Sequence, residues 1–136
     1  MYDKLLEAKD MAAAGQSVQA RQLLSEVNPT VLSEKGQTLY NTISASVDAE
    51  AFRQLLSMGK SSLNSGNYDQ AVSQLKQIVD VNEGYQDGEA LYYYARALHK
   101  KGDTDAAADV YKKVISRYSG TNMAADSERY LEEVEE

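Results

Sequence analysis

The chain has no cysteine and no tryptophan, and only one proline, one histidine and one phenylalanine. Without cysteine there is no disulfide framework, and thiol catalysis and Cys-ligated zinc are excluded. The lone histidine, His99, has no second histidine, so a metal site or catalytic triad built on it lacks its partners. Beside Lys100 and Lys101, near the end of an expected helix, it sits where cations favour the helix dipole. Positive charge is also scarce. Lys and Arg number 14 against 21 Asp and Glu, a net charge of −7, which speaks against the basic footprint that nucleic-acid binding needs. No apolar run approaches the roughly 20 residues of a membrane span, so direct membrane insertion by this segment is not expected. The opening Met1-Tyr2-Asp3-Lys4-Leu5-Leu6 lacks the regions of a signal peptide and enters helix almost at once. The expectation is a piece of a longer protein, with any targeting segment upstream. One proline and no long Gly/Ser run leave no linker, so residues 1–136 are expected to form a single domain.

What is present is a pattern written twice between residues 52 and 118. The first copy carries Leu55, Gly59 and Leu63, then Gly66-Asn67-Tyr68-Asp69-Gln70-Ala71, then Leu75, Ile78 and Val79. The second carries Leu91, Ala95 and Leu98, then Gly102-Asp103-Thr104-Asp105-Ala106-Ala107, then Tyr111, Val114 and Ile115. Gly66 and Gly102 set a period of 36 residues, within the range of solenoid repeats. Gly59 with Ala71, and Ala95 with Ala107, put small residues where two helices must approach closely. The glycine between the helices suits a left-handed C-cap. Asn67 with Gln70 reads as a capping box, and Asp103 or Thr104 as the corresponding cap.

At these residues the chain resembles the tetratricopeptide repeat (TPR) family. That family has a small residue in the first helix, a Gly at the turn and an Ala in the second helix; here these are Gly59, Gly66 and Ala71, then Ala95, Gly102 and Ala107. The closing Pro of the family is missing from both copies, and Leu55 and Leu91 replace its Trp. The resemblance implies an all-α solenoid of antiparallel helix pairs. Tyr118-Ser119-Gly120-Thr121, followed by Ala124 and Ala125, is similar to TPR domains of bacterial cell-envelope proteins. That similarity implies an extracytoplasmic location, with the cytoplasm as the alternative.

In chain order, a helix over 2–14 ends at Gly15 and a second runs over about 17–27. Gly15 and Ala20 keep the offset of Gly66 and Ala71, so residues 1–28 form a degenerate first repeat. Asn28-Pro29 stops its second helix. From Gly15 to Gly66 is 51 residues, about half a repeat too many. One long helix around 30–64, with apolar or small positions recurring every three or four residues, restores the alternation. Two helices meeting near Ser46-Val47-Asp48, with Asp48 as N-cap, is the alternative. Further helices are expected over 68–81, 88–101 and 104–118. The expected units are an insert plus repeat over 30–83, a repeat over 88–120 and a capping helix over 122–134. That makes seven or eight helices.

Chemistry is sparse. Gly59-Lys60-Ser61 resembles the end of a phosphate-binding loop, but Gln54 stands where that motif needs Gly. Asp80, Asn82, Asp87 and Glu89 do not keep calcium-loop register, because Gly84 falls on a liganding place. Asp3 with Glu7, and Asp105 with Asp109, read as solvated helix faces. The expectation is a non-catalytic protein without cofactor or metal.

In the TPR family the first helices of each pair line a concave face that holds peptides or extended segments. The resemblance therefore places Arg53, Leu56, Lys60, Leu63 and Asn64 at groove positions of one repeat. Glu89, Tyr92, Arg96, His99 and Lys100 hold those of the next. Lys60 and Arg96 share one repeat position, and Lys9 shares it in the degenerate repeat. A row of cations in an acidic protein would steer an acidic peptide toward it. The plainer reading is that these cations pair with Glu on the neighbouring helix. The family's carboxylate clamp uses an Asn where this chain has Lys, so that activity is not expected. Two roles follow: a scaffold binding a protein or peptide in the groove, or a self-association and spacer module forming homo-oligomers.

Overall fold

Gly15, Gly66 and Gly102 each end a helix in the left-handed conformation, with φ of +81°, +84° and +101°, in a computed structural model that describes residues 2–135. In each turn the next amide reaches back five residues. Gln16 N–H donates to the Met11 carbonyl at 2.9 Å, Asn67 to Ser62 at 2.8 Å and Asp103 to Leu98 at 2.9 Å. This closure satisfies carbonyls that the helix end leaves unpaired. An added Cβ at any of these three glycines would meet nothing within 4 Å. The backbone angle alone selects glycine there.

The turns join α1 (Tyr2–Ala13) to α2 (Ser17–Leu24), α3 (Glu34–Asn64) to α4 (Tyr68–Val79), and α5 (Glu89–Lys101) to α6 (Thr104–Arg117). A seventh helix, α7 (Asn122–Glu135), follows. The architecture is an all-α, TPR-like helical repeat with no strand among the described residues. The repeat is also visible in burial. Ala20, Ala71 and Ala107 are fully buried, as are Leu75 and Tyr111 with Leu24 nearly so, and Val27, Ile78 and Val114 follow suit. The three helix pairs thus bury side chains at the same distances from their turns.

Several boundaries differ from expectation. The long helix is continuous through Ser46–Asp48 but starts at Glu34, not Thr30. Asn28 accepts from Thr30 N–H at 3.1 Å and opens a short 3-10 turn, Pro29–Val31. Ser33 then caps α3 by accepting from Gly36 N–H at 3.2 Å, an N-cap reaching the third helical residue. Asp48 is not a cap; its carboxylate accepts from Arg21 Nε at 3.2 Å. The capping box does not form either, since neither Asn67 nor Asp103 makes a side-chain cap bond. The glycine closure before each of them already fixes the helix entry.

Backbone contacts divide the chain into two compact units, Met1–Gln54 and Leu55–Glu136, with the division falling inside α3. In the first, Leu5, Ala8, Ala20, Leu24, Ile43 and Val47 form a buried cluster. Arg21 lies 5.0 Å above the Phe52 ring. In the second, α4 packs on α5, α5 on α6 and α6 on α7. Gly59 allows α3 and α4 to close, because a Cβ there would lie 2.6 Å from Leu75 carbons.

Among the described residues, the turn before α5 is the one segment with non-glycine residues at positive φ. Gln86 and Asp87 both have φ of 53° and Gly88 has φ of +91°, three consecutive residues in a region that costs a non-glycine about 1–2 kcal/mol. Two anchors hold it. Glu83 accepts from Lys113 Nζ at 2.9 Å and Arg117 Nη1 at 3.2 Å. Gly88 lies against the Tyr118 ring so closely that a Cβ would fall 2.4 Å from it.

Candidate protein-binding surface

The expected groove residues divide between the two units. In the first, Lys9 is exposed on α1 and Arg53 is exposed on α3, where it is bound to Glu50 one turn earlier. The remaining nine lie in the second unit.

There, α3 supplies Leu56, Lys60, Leu63 and Asn64. Leu56 is buried and contributes packing, Leu63 is half-buried and Asn64 is exposed. Lys60 Nζ donates to Glu89 Oε1 on α5 at 2.9 Å and sits 5.1 Å from the centre of the Tyr93 ring. The hydrogen bond to Glu89 raises the Lys60 pKa, so this ammonium is firmly charged. The pairing of groove cations with a neighbouring Glu is therefore realised at Lys60. Its side chain still keeps 41% of its surface exposed, which limits the strength of the pair.

On α5, Tyr92 is buried and burial pushes its phenol pKa up. It is a core residue rather than open surface. Arg96 does not stand free, because its guanidinium stacks 3.7 Å from the centre of the Tyr130 ring of α7. Its Nη1 also reaches the hydroxyl of the fully buried Tyr111 at 3.5 Å and His99 Nδ1 at 3.4 Å. Since Arg96 can only donate, the pattern assigns neutral His99 with Nδ1 accepting from the Tyr111 hydroxyl at 3.0 Å. His99 Nε2 then faces Glu133 of α7 at 3.8 Å. Burial first, then the charge of Arg96, lower the His99 pKa, outweighing the opposite pull of Glu133. Lys100 is exposed at the end of α5.

The cations of α3 and α5 are thus unequal. Lys60 and Lys100 present charge to solvent, whereas Arg96 and His99 join Tyr111, Tyr130 and Glu133 in fastening α7. The sequence spacing missed Tyr93, Tyr130 and Glu133. Tyr93 was legible only as one of the triplet Tyr92-Tyr93-Tyr94, and Tyr130 only as an apolar position of the last helix.

Residues 56–121 match the tetratricopeptide repeat family. The matched TPR segment runs from α3 through α6 and leaves out α7 and the first unit. TPR repeats generally mediate protein–protein interaction and are generally non-catalytic scaffolds. No curated protein and no solved structure matches the chain. No described helix is long and apolar enough to cross a membrane.

Proposed function

We propose that this chain is a non-catalytic interaction module, without cofactor, that binds a protein or peptide segment across the first helices of its TPR pairs. The observation that carries the reading is the match of α3–α6 to TPR repeats, joined to the exposed Asn64 and Lys100 and the half-buried Lys60 on first helices. Leu63 and the Tyr93 ring supply apolar contact beside them, and Glu89, Arg96 and His99 set the polarity of the floor. An acidic segment fits this surface, because Lys100 presents an exposed positive charge on an otherwise acidic chain and Lys60, bridged to Glu89, can exchange that partner for an incoming carboxylate. In this proposal residues 1–136 serve as one domain of a bacterial extracytoplasmic protein.

The test is capture from an extract of the source cells by wild-type protein and by a Lys60→Glu/Lys100→Glu variant. Circular dichroism establishes that the variant folds, and light scattering gives the mass of both. A protein retained by the wild type and lost by the variant supports binding at this surface. A stable dimer in both forms with no retained protein overturns it in favour of self-association.

A further inference from the structure

In the second unit, α7 is fastened differently from the helices it packs on. Of its own residues it buries only Ala124 and Ser127, both small, and Tyr130 and Leu131 stay half-buried. By contrast α5 buries Leu91 and Leu98, and α6 buries Val110 and Val114. An element that puts away so little large apolar surface opens at low free-energy cost, so the polar and aromatic contacts decide whether it stays. Tyr130 supplies most of them. The Arg96 guanidinium lies 3.7 Å from the centre of its ring, the Tyr111 ring stacks on it at 5.9 Å, and His99 meets it edge-on at 6.0 Å.

His99 stands where α5, α6 and α7 meet, and each helix gives it a charged or titratable neighbour. From α5 these are Arg96 and Lys100, from α6 the Tyr111 hydroxyl, and from α7 Glu133 and the Tyr130 phenol. The neutral ring suits this company. Its Nδ1 accepts from the Tyr111 hydroxyl at 3.0 Å and lies 3.4 Å from Arg96 Nη1. A proton on Nδ1 sets two donors against each other at Arg96 and forces the buried Tyr111 hydroxyl to turn and accept. It also places a cation beside Arg96 and Lys100. The opposing pull comes from Glu133, 3.8 Å away with 56% of its side chain exposed, where solvent weakens an ion pair. Burial and Arg96 outweigh it, and the His99 pKa is lowered in the folded chain. Arg96 belongs to both contacts: the one that protonation opposes and the one that holds Tyr130.

We propose that His99 is the trigger of an acid-operated latch, in which its protonation releases α7 from α5 and α6 while the rest of the second unit stays folded. Release uncovers the face of α6 on which α7 packs. The latch concerns the fastening of the last helix and holds whether or not a partner binds the first helices.

The test is amide hydrogen exchange of the whole chain between pH 7 and pH 5, corrected for the intrinsic pH dependence of exchange. Opening linked to one proton grows by up to about tenfold for each pH unit below the free imidazole value near 6.5, until the lower folded value is reached. Protection therefore falls over residues 122–135 and far less over 89–117. His99→Gln, which keeps an acceptor for Tyr111, removes the fall. Glu133→Gln takes away the one attraction for the proton and leaves the fall no smaller; Glu133 is exposed, so this variant decides the matter even where His99→Gln does not fold. Protection of α7 that is constant or rises toward pH 5, an equal fall in His99→Gln, a smaller fall in Glu133→Gln, or a loss spread evenly over α4 to α7 overturns the proposal.

Discussion

Ser127 is fully buried in α7, and its hydroxyl has no hydrogen-bond partner among the described residues. Its oxygen is a cost. A buried hydroxyl left unpaired costs about 1–3 kcal/mol. Ser127→Ala should therefore stabilise the second unit by about 1 kcal/mol, read as a higher midpoint in urea with unchanged slope. His99 makes the opposite kind of statement. Its pKa is lowered in the folded chain by burial and by Arg96, so the neutral ring is the folded form. Its contribution is complete above the unfolded value near 6.5 and is lost as pH falls through the lower folded value. Melting temperature should drop between pH 7 and pH 5, and His99→Gln should flatten that part of the profile. Glu83, whose pKa is lowered by its hydrogen bond to Lys113, loses its contribution only as pH falls further, below the ordinary carboxylate value.

At the level of elements, two kinds of glycine are separable by mutation. Gly102 needs only its left-handed angle, since a Cβ there meets open space. Gly102→Ala should cost about 1 kcal/mol. Gly88 needs both its angle and the room taken by the Tyr118 ring, so Gly88→Ala should cost more, about 2–4 kcal/mol. Chemical denaturation of the two variants side by side checks the ranking. Equal losses would mean that the Tyr118 contact yields without cost. The turn glycines and the buried Ala20, Ala71 and Ala107 were legible because they are local: spacing within 20 residues of sequence decides them. Continuity of α3 was legible for the same reason. The caps were not, because Asn67 and Asp103 are good capping residues, and only the i−5 closure before them makes the side-chain bond unnecessary. The left-handed run at Gln86-Asp87 carries only the general turn signal of Asp87-Gly88, which does not specify two left-handed residues before the glycine. It is imposed by anchors about 30 residues away, Lys113, Arg117 and Tyr118.

Over the whole molecule, the surface was less legible than the core. Helix phase placed Lys60 and Arg96 at one repeat position, but partners are chosen across helices. Lys60 meets Glu89 from 29 positions away, and Arg96 meets Tyr130 from the helix that closes the chain. The equivalent positions therefore have different tasks, one near solvent and one fastening α7. The division inside α3 is likewise a property of packing, and a regular helical pattern running through residues 34–64 does not mark it.

The most direct test of the account is position-resolved photo-crosslinking in extract of the source cells, with a crosslinking residue placed in turn at Asn64 and Lys100 on first helices and at Ser73 and Ser116 on second helices. All four sites are exposed, so accessibility does not bias the comparison. Binding across the first helices predicts one partner band from Asn64 and Lys100 and none from Ser73 and Ser116. The same band from the second-helix positions alone, or only self-adducts from every position, would contradict it.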